Sequence, residues 1–445
     1  DEYMSFLDSG PSDKGLMVYI HIPFCEALCY FCNYYKVVIK KDSYNERRDL
    51  FAAYKREIEN YASRRYFEGR PIRAIQFGGG TPSAVEPEFI VELIDCVRKN
   101  FKSDFELVSM EGNVTSIQDP AQLQVLKDGG VQRISFGVQT FNEQIRKKLH
   151  LKATVEDVYK AVEALNKVGF DDYSHDLMFN LPDQTVEDVR ADIETADREI
   201  RPTYIDCYNL NVMPNTMFDA ALGRETYCTS KPSDQMEIVM MREVMNITKP
   251  LGYNQVMSNV FSKKKDRCVL TLEMELDGSD IIGIGPSARG FLMGHGYRNI
   301  ASLEEYADRV YRDRYPIVAG NVTTREEDDE RRMVMFGNFT YLKKSTVADY
   351  GRFSPQVEFL IREGYAVDDG EYLRLTDEGK VWPGNVSELF FNGKQRLRRN
   401  VSMLSAFKNK ENPYNQDRMG VSAALYQVKK MTPQQKNNSP ENATR

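Results

Sequence analysis

Histidine is scarce in this chain, with four among 445 residues, and none of the four lies beside another. A zinc site needs two pairs of ligands, and neither the scattered histidines nor Cys96 completes a second pair, which excludes the ordinary structural zinc motifs. The cysteines number seven, an odd count that excludes a fully paired disulfide framework. No apolar run approaches the about 18 residues that a membrane helix needs. Positive charge is not in excess: 59 basic against 66 acidic residues give −7, which argues against broad binding to nucleic acid or anionic membranes. Internal repeats are absent. The N-terminal stretch DEYMSFLDSGPSDKG is acidic and polar, unlike a secretory or transit peptide. With 41% hydrophobic residues, the chain is expected to be a soluble protein of two or three domains in a reducing cytoplasm.

Against these absences stand Cys25, Cys29 and Cys32, spaced C-x3-C-x2-C in HIPFCEALCYFCNYY, directly after the strand-like run Met17–Ile22. Thiolates hold iron. Four would close every corner of a [4Fe–4S] cluster, whereas three leave one iron open to bind and reduce something. Buried structural cysteines do not ordinarily gather three within eight positions. Phe24, Tyr30, Phe31, Tyr34 and Tyr35 crowd the same loop, either as core packing or as an apolar shell that keeps water from the cluster and lowers its potential.

Short runs rich in β-branched and aromatic residues recur at Leu16–Ile22, Ile72–Phe77, Phe105–Met110, Val131–Val138, Asp172–Phe179 and Thr203–Leu210. Helical periodicity separates them at Asn45–Arg64, Glu86–Lys99, Val155–Val168, Val186–Ile200 and Ser233–Thr248. Strand alternating with helix implies parallel strands and right-handed crossovers. Six units predict an α/β fold with a partial (β/α)6 barrel over residues 16–299, preceded by an arm at 1–15. In such folds chemistry collects at the C-terminal strand ends, where the cysteines lie. From about Ile300 the pattern changes to helices (Leu303–Tyr311, Glu326–Leu342) and a hairpin turning near Asp369-Gly370. This predicts a winged-helix-like α+β domain over 300–430, then a disordered polar tail over 431–445.

Further strand ends carry chemistry-bearing residues. Phe77-Gly78-Gly79-Gly80-Thr81-Pro82 follows the second strand, and a glycine run lets backbone approach a ligand closely. No Gly-Lys-Ser/Thr follows, so it is not a nucleotide P-loop. Glu111, Gln139 and Asp176 fall at the ends of, or on, the third, fourth and fifth strands. Such a group pointing inward is costly unless a partner meets it, and the alternative to a ligand is an internal hydrogen-bond network. Ile282-Gly283-Ile284-Gly285-Pro286-Ser287-Ala288 is a second glycine-bearing loop. His21, His175, Cys96, Cys207, Cys228 and Cys268 are expected to be structural, with a cavity-lining cysteine among them able to donate hydrogen.

The cysteine spacing, the preceding Tyr19-Ile20-His21-Ile22-Pro23-Phe24 and the loop aromatics resemble the radical S-adenosylmethionine (SAM) superfamily, in its oxygen-independent coproporphyrinogen III oxidase-like branch. The resemblance covers roughly Leu16 to Phe391. It implies a [4Fe–4S] cluster on Cys25, Cys29 and Cys32. It implies SAM contacts from Tyr19, Phe31, Gly78, Gly79, Gly80, Thr81, Glu111, Gln139 and Asp176, and a second SAM near Ile284. It also implies a low-potential electron donor such as flavodoxin or ferredoxin, a small-molecule substrate, no nucleic acid and no membrane. The C-terminal domain is expected to cover the barrel mouth.

Two positions depart from the oxidase pattern: Tyr34 where a fourth cysteine would stand, and Leu151 in place of an arginine, with Lys152 as its neighbouring stand-in. The segments EGNVTSIQD, RISFGVQTFNEQIRKK and DCYNLNVMPNT look closer to the branch's class C methyltransferases, which include anaerobilin synthase-like enzymes and natural-product C-methylases and cyclopropanases. The chemistry so implied spends one SAM to activate the methyl of a second, whose carbon then adds to an sp2 carbon of the substrate. Oxidative decarboxylation of coproporphyrinogen III and haem delivery as a chaperone are the alternative expectations.

Overall fold

The computed structural model describes residues 2–392, apart from 28, 30, 33, 41–42, 213–216, 223, 225–226 and 265–268. Cys268, the end of the expected C-terminal domain and the expected disordered tail lie outside the described residues.

Six parallel strands run in chain order: β1 (Leu16–Ile22), β2 (Pro71–Gly79), β3 (Lys102–Gly112), β4 (Arg133–Gln139), β5 (Tyr173–Phe179) and β6 (Tyr204–Asn209). Helices α1 (Tyr44–Ala62), α2 (Pro87–Asn100), α3 (Pro120–Asp128), α4 (Val155–Val168), α5 (Val186–Thr195) and α6 (Asp234–Thr248) cover the outer face. The amphipathic spacing explains them: α1 buries Leu50, Tyr54, Ile58 and Tyr61 along one stripe. Local chemistry sets the ends, as in α4, which has a Thr154–Asp157 capping box and closes on Gly169 at φ +83°.

The six expected strands are all present, and a seventh joins them. β9 (Asp280–Ile284) lies parallel to β1 on the side away from β2. Ile282 and Ile284, read from sequence as loop, are therefore strand residues. Beyond β9 the sheet continues antiparallel through β10 (Arg289–Leu292), β11 (His295–Asn299) and β12 (Ile317–Val322). At the other flank β8 (Val260–Ser262) and β7 (Asn254–Gln255) follow β6. The order is β12-β11-β10-β9-β1-β2-β3-β4-β5-β6-β8-β7, so the sheet is open among the described residues. No helix among them is long and apolar enough to cross a membrane.

Alternation along the strands separates two faces. Val18, Ile20, Ile22, Ile282, Ile284 and Leu292 join the core shared with the helices. Met17, Tyr19, His21, Ile281 and Arg289 take the opposite, interior face. Past the expected boundary at residue 300 the main core continues. Helix α7 (Leu303–Tyr311) sends Tyr306 and Val310 into the core shared with α1, and β12 belongs to the main sheet. A second core begins with α8 (Arg325–Phe339). It includes α9 (Ser354–Arg362), α10 (Pro383–Leu389) and the small sheet β13 (Tyr341–Lys343), β14 (Ala366–Asp368) and β15 (Tyr372–Leu375), with the hairpin turn at Asp369-Gly370 as expected.

Its described contacts run to Asn338 O from Ser258 N (2.7 Å), to Leu276 O from Arg332, and to α6 through the Arg242–Glu378 and Lys249–Asp377 ion pairs. Among the described residues this unit thus meets the flank and floor of the barrel, where Tyr204 begins β6 and Leu276 precedes β9, rather than the strand ends that carry the cysteines. The expected mouth-covering role belongs to the whole C-terminal domain, whose end lies outside the described residues.

Candidate active site at the strand ends

The cysteine loop and the glycine loop are fastened to each other by backbone. Gly80 N donates to Ile22 O and Thr81 N to Phe24 O, both at 2.7 Å, extending the β1–β2 ladder past its end. The glycine run serves this fit. A methyl group on Gly80 would lie 2.6 Å from Phe24 O; one on Gly78 would lie 2.8 Å from Glu111 Oε1 and 3.1 Å from Tyr19 Cε2. Gly79, at φ +110°, packs against the His21 ring. The close approach read from sequence as ligand access is thus first an approach of protein to protein.

Cys25 is buried, while Cys29 and Cys32 are half-exposed. Burial raises the pKa of the Cys25 thiol, and burial followed by the charge of Cys32 pushes Cys29 up to about 11. Thr81 Oγ1 donates to Cys25 Sγ at 3.4 Å, and the buried Lys36 donates to Cys32 O at 3.0 Å. Three mutually sensing sulfurs, one with a hydroxyl donor, fit a cluster held at three irons. Phe31 and Leu151 pack together against the apolar group of Ile145, Leu149, Met178, Leu181, Leu210 and Phe218 beside the loop. Leu151 therefore walls the mouth, and Lys152 Nζ turns outward to 3.5 Å from Glu26 O. Tyr34 is mostly exposed at the rim.

Inside the barrel, Tyr19 and His21 share a hydrogen bond of 3.0 Å between Tyr19 Oη and His21 Nδ1. Burial lowers His21 to a pKa of about 4, so its ring is neutral. Glu111 accepts from Gly79 N at 3.3 Å, and burial raises its pKa to about 7. Asp176 and Asp206 face each other in register across β5 and β6. Burial, then the neighbouring Asp206 and Glu111 charges, drives Asp176 well up, and burial raises Asp206 to about 6 against the pull of Arg133. Two carboxylates accept only, so their mutual hydrogen bond requires a proton between them.

Gln139 closes β4 at φ +71°, after a register shift between Gly137 and Gln139. The left-handed bulge re-aims its amide back over Gly137. Arg146, fully buried, clamps it by donating to Val138 O and Thr140 O at 2.7 and 2.8 Å.

The structure therefore brings Tyr19, Gly78, Gly79, Gly80, Thr81, Glu111 and the three cysteines together at one end, with Gln139 and Asp176 on adjoining strands. Ile284 differs: its side chain is 0% exposed and lies in the helix-side core. Only its backbone remains for a ligand. Sequence reasoning missed Lys36, Arg146, Asp206 and Arg289. Asp206 was legible in principle, as the residue beside Asp176 one strand on. His175 and Cys207 are buried as expected, and Cys96 is buried on α2.

Residues 19–196 match the Radical SAM superfamily. The chain is 28% identical over 382 residues to the heme chaperone HemW of Bacillus subtilis, spanning 84% of this chain and 98% of that protein. It is 26% identical to the anaerobilin synthase of Escherichia coli O157:H7, over 86% of this chain and 85% of that one. It is 25% identical to the oxygen-independent coproporphyrinogen III oxidase of E. coli K12, over 85% and 86%. The solved coproporphyrinogen III oxidase from E. coli shares the fold, with a TM-score of 0.72, 23% identity, and coverage of 85% of this chain and 90% of that one.

Proposed function

Because residues 19–196 are a radical SAM superfamily domain, with relatives in the coproporphyrinogen oxidase-like branch, we propose a C-methyl or methylene transferase. It acts on an sp2 carbon of a small molecule or tetrapyrrole and uses a [4Fe–4S] cluster and two SAM molecules. The observation that supports it is the parallel placement of β9 beside β1. This sets two glycine-bearing strand ends, Gly78–Thr81 and Ile284–Gly285, on either side of the cysteine loop.

Cys25, Cys29 and Cys32 would hold the cluster. The Gly78–Thr81 backbone, Glu111, Gln139 and Asp176 would hold one SAM, and the Ile284–Gly285 backbone would hold the other. When bound, these groups supply one-electron cleavage of a carbon–sulfur bond and a transferable one-carbon unit. The chain's own part is orientation and dryness. Phe31 and Leu151 exclude water from the loop, and Thr81 Oγ1 hydrogen-bonds Cys25 Sγ. Glu111, its pKa raised by burial to about 7, is poised to donate a proton toward a ligand hydroxyl or carboxylate or to accept one from an amine. Electrons come from a low-potential donor of the flavodoxin or ferredoxin kind.

The second reading is haem delivery without turnover, favoured by the 28% identity spread over 98% of a heme chaperone. Against it, two of the four histidines, His21 and His175, are buried, the first bonded to Tyr19. Anaerobic incubation of reconstituted enzyme with methyl-labelled SAM and candidate acceptors, haem included, separates the readings by mass spectrometry. A labelled CH2 increment with 5′-deoxyadenosine supports transfer. Tight haem binding without SAM cleavage supports delivery, and CO2 lost from a porphyrinogen supports decarboxylation.

A further inference from the structure

We infer that Arg289 is the substrate-binding cation of this site and receives a carboxylate carried by the methyl acceptor. This rests on the transferase reading and adds the substrate's chemical class. Arg289 opens β10, whose backbone lies against Gly283 so closely that a methyl group there would meet Arg289 C and O. Gly283 in turn pairs with Tyr19 across β9 and β1. Ala288 and Leu292 of the same segment are 0% exposed, Leu292 in the helix-side core, which leaves Arg289 on the interior face with Tyr19 and His21. Its charge is felt by Tyr19, His21 and Tyr34, three groups around the cysteine loop.

Arg289 is exposed, with no ion pair or hydrogen bond among the described residues. The neighbouring cations are committed. Lys36 bonds Cys32 O, Lys148 pairs with Asp183, and Arg146 bonds the carbonyls of residues 138, 140 and 153. Glu111, Asp176 and Asp206 lie on β3, β5 and β6, where burial pushes their carboxyls toward the neutral form. An anionic group on the substrate is drawn to Arg289, whose fork matches a carboxylate bidentately. Arg289 thus orients an acceptor by its charged edge.

The test titrates reconstituted holoenzyme, with SAM present, against protoporphyrin IX and its uncharged dimethyl ester, followed by porphyrin fluorescence. Wild type is expected to favour the acid. Arg289→Gln should lower the affinity for the acid by about ten- to a hundredfold while leaving the ester's affinity alone, and Arg289→Lys should restore part of the preference. Wild-type enzyme that binds acid and ester alike, or neither, overturns the inference. So does Arg289→Gln that keeps the preference, or that loses SAM binding instead, which would assign the guanidinium to the carboxylate of SAM. Failure of the transferase reading appears separately, as labelled methyl that reaches no acceptor although the acid binds through Arg289.

Discussion

The two walls of the mouth are built by different means. On the β1–β4 side, adjacent parallel strands carry short motifs whose backbones interlock, so Gly80 and Thr81 hydrogen-bond directly to Ile22 and Phe24. On the β9–β10 side, position depends on a buried carboxyl from another layer. Glu57 of α1 accepts from Gly285 N at 2.9 Å, Asn299 Nδ2 at 2.9 Å and Tyr306 Oη at 2.5 Å. The first wall is fixed by local geometry and tolerates little substitution. The second adds to its strand pairing a hydrogen bond from Gly285 to the buried Glu57, a contact that responds to pH.

The largest effect should come from breaking the first wall. In Gly80→Ala the new methyl meets backbone on three sides, Phe24 O at 2.6 Å, Ile22 O and Pro23 C at 2.9 Å, and backbone cannot rotate away as a side chain can. Overpacking of this kind costs about 1–3 kcal/mol, paid where the cysteine loop must hold iron. Iron and sulfide content after anaerobic reconstitution should fall several-fold, with the far-UV spectrum unchanged. Full cluster occupancy in this variant would show that the two loops are not mechanically joined.

The second wall is tested by Glu57→Gln. Burial raises the Glu57 pKa from the ordinary 4.5 to about 7, although Tyr306, Gly285 and Asn299 pull it down. A carboxyl with a raised folded pKa binds more protons in the native than in the unfolded state between those values. Stability therefore falls as pH rises from about 4.5 to about 7, and the loss is complete above that range. The rise corresponds to about 3 kcal/mol for this group. Urea unfolding of cluster-free protein at pH 5 and pH 8 should show a smaller loss in Glu57→Gln than in wild type. Equal losses would mean that another group fixes Gly285. Glu111 and Asp192, also raised to about 7 by burial, keep the slope from vanishing.

The same contrast explains what the sequence could disclose. The first wall was legible because its residues are contiguous: C-x3-C-x2-C, GGGTP and the strand periods each lie within a dozen positions. Strand β9 escaped because its five residues, Asp280–Ile284, follow a long excursion and include a glycine that reads as loop. Its pairing with β1 joins residues about 260 positions apart, which periodicity cannot register. Arg289 was hidden for the same reason. An arginine after a glycine loop is ordinary until β9 and β10 bring it alongside Tyr19. Ile284 shows the converse failure. The motif was found, but the face of the strand, and with it the direction of the side chain, follows only from register. The C-terminal domain was legible by its elements, since hairpins and helices are local, but they carry no record of which barrel face they meet.

The smallest expected effect sharpens the comparison from inside the first wall. Thr81 is 6% exposed, and its hydroxyl is the one described side-chain donor to Cys25 Sγ. Thr81→Val keeps the shape and removes that donor, at a cost to stability of about 1 kcal/mol. A hydrogen bond to a cluster sulfur stabilises the reduced, more negative state, so its loss should lower the reduction potential of the cluster. Thr81→Ser, which keeps the hydroxyl, should restore it. An electron paramagnetic resonance titration of the three reconstituted proteins reads this directly. A potential that stays put in Thr81→Val would reduce the role of this wall to fastening two loops. A lowered one means that the contact joining the loops also sets how hard the cluster drives its electron.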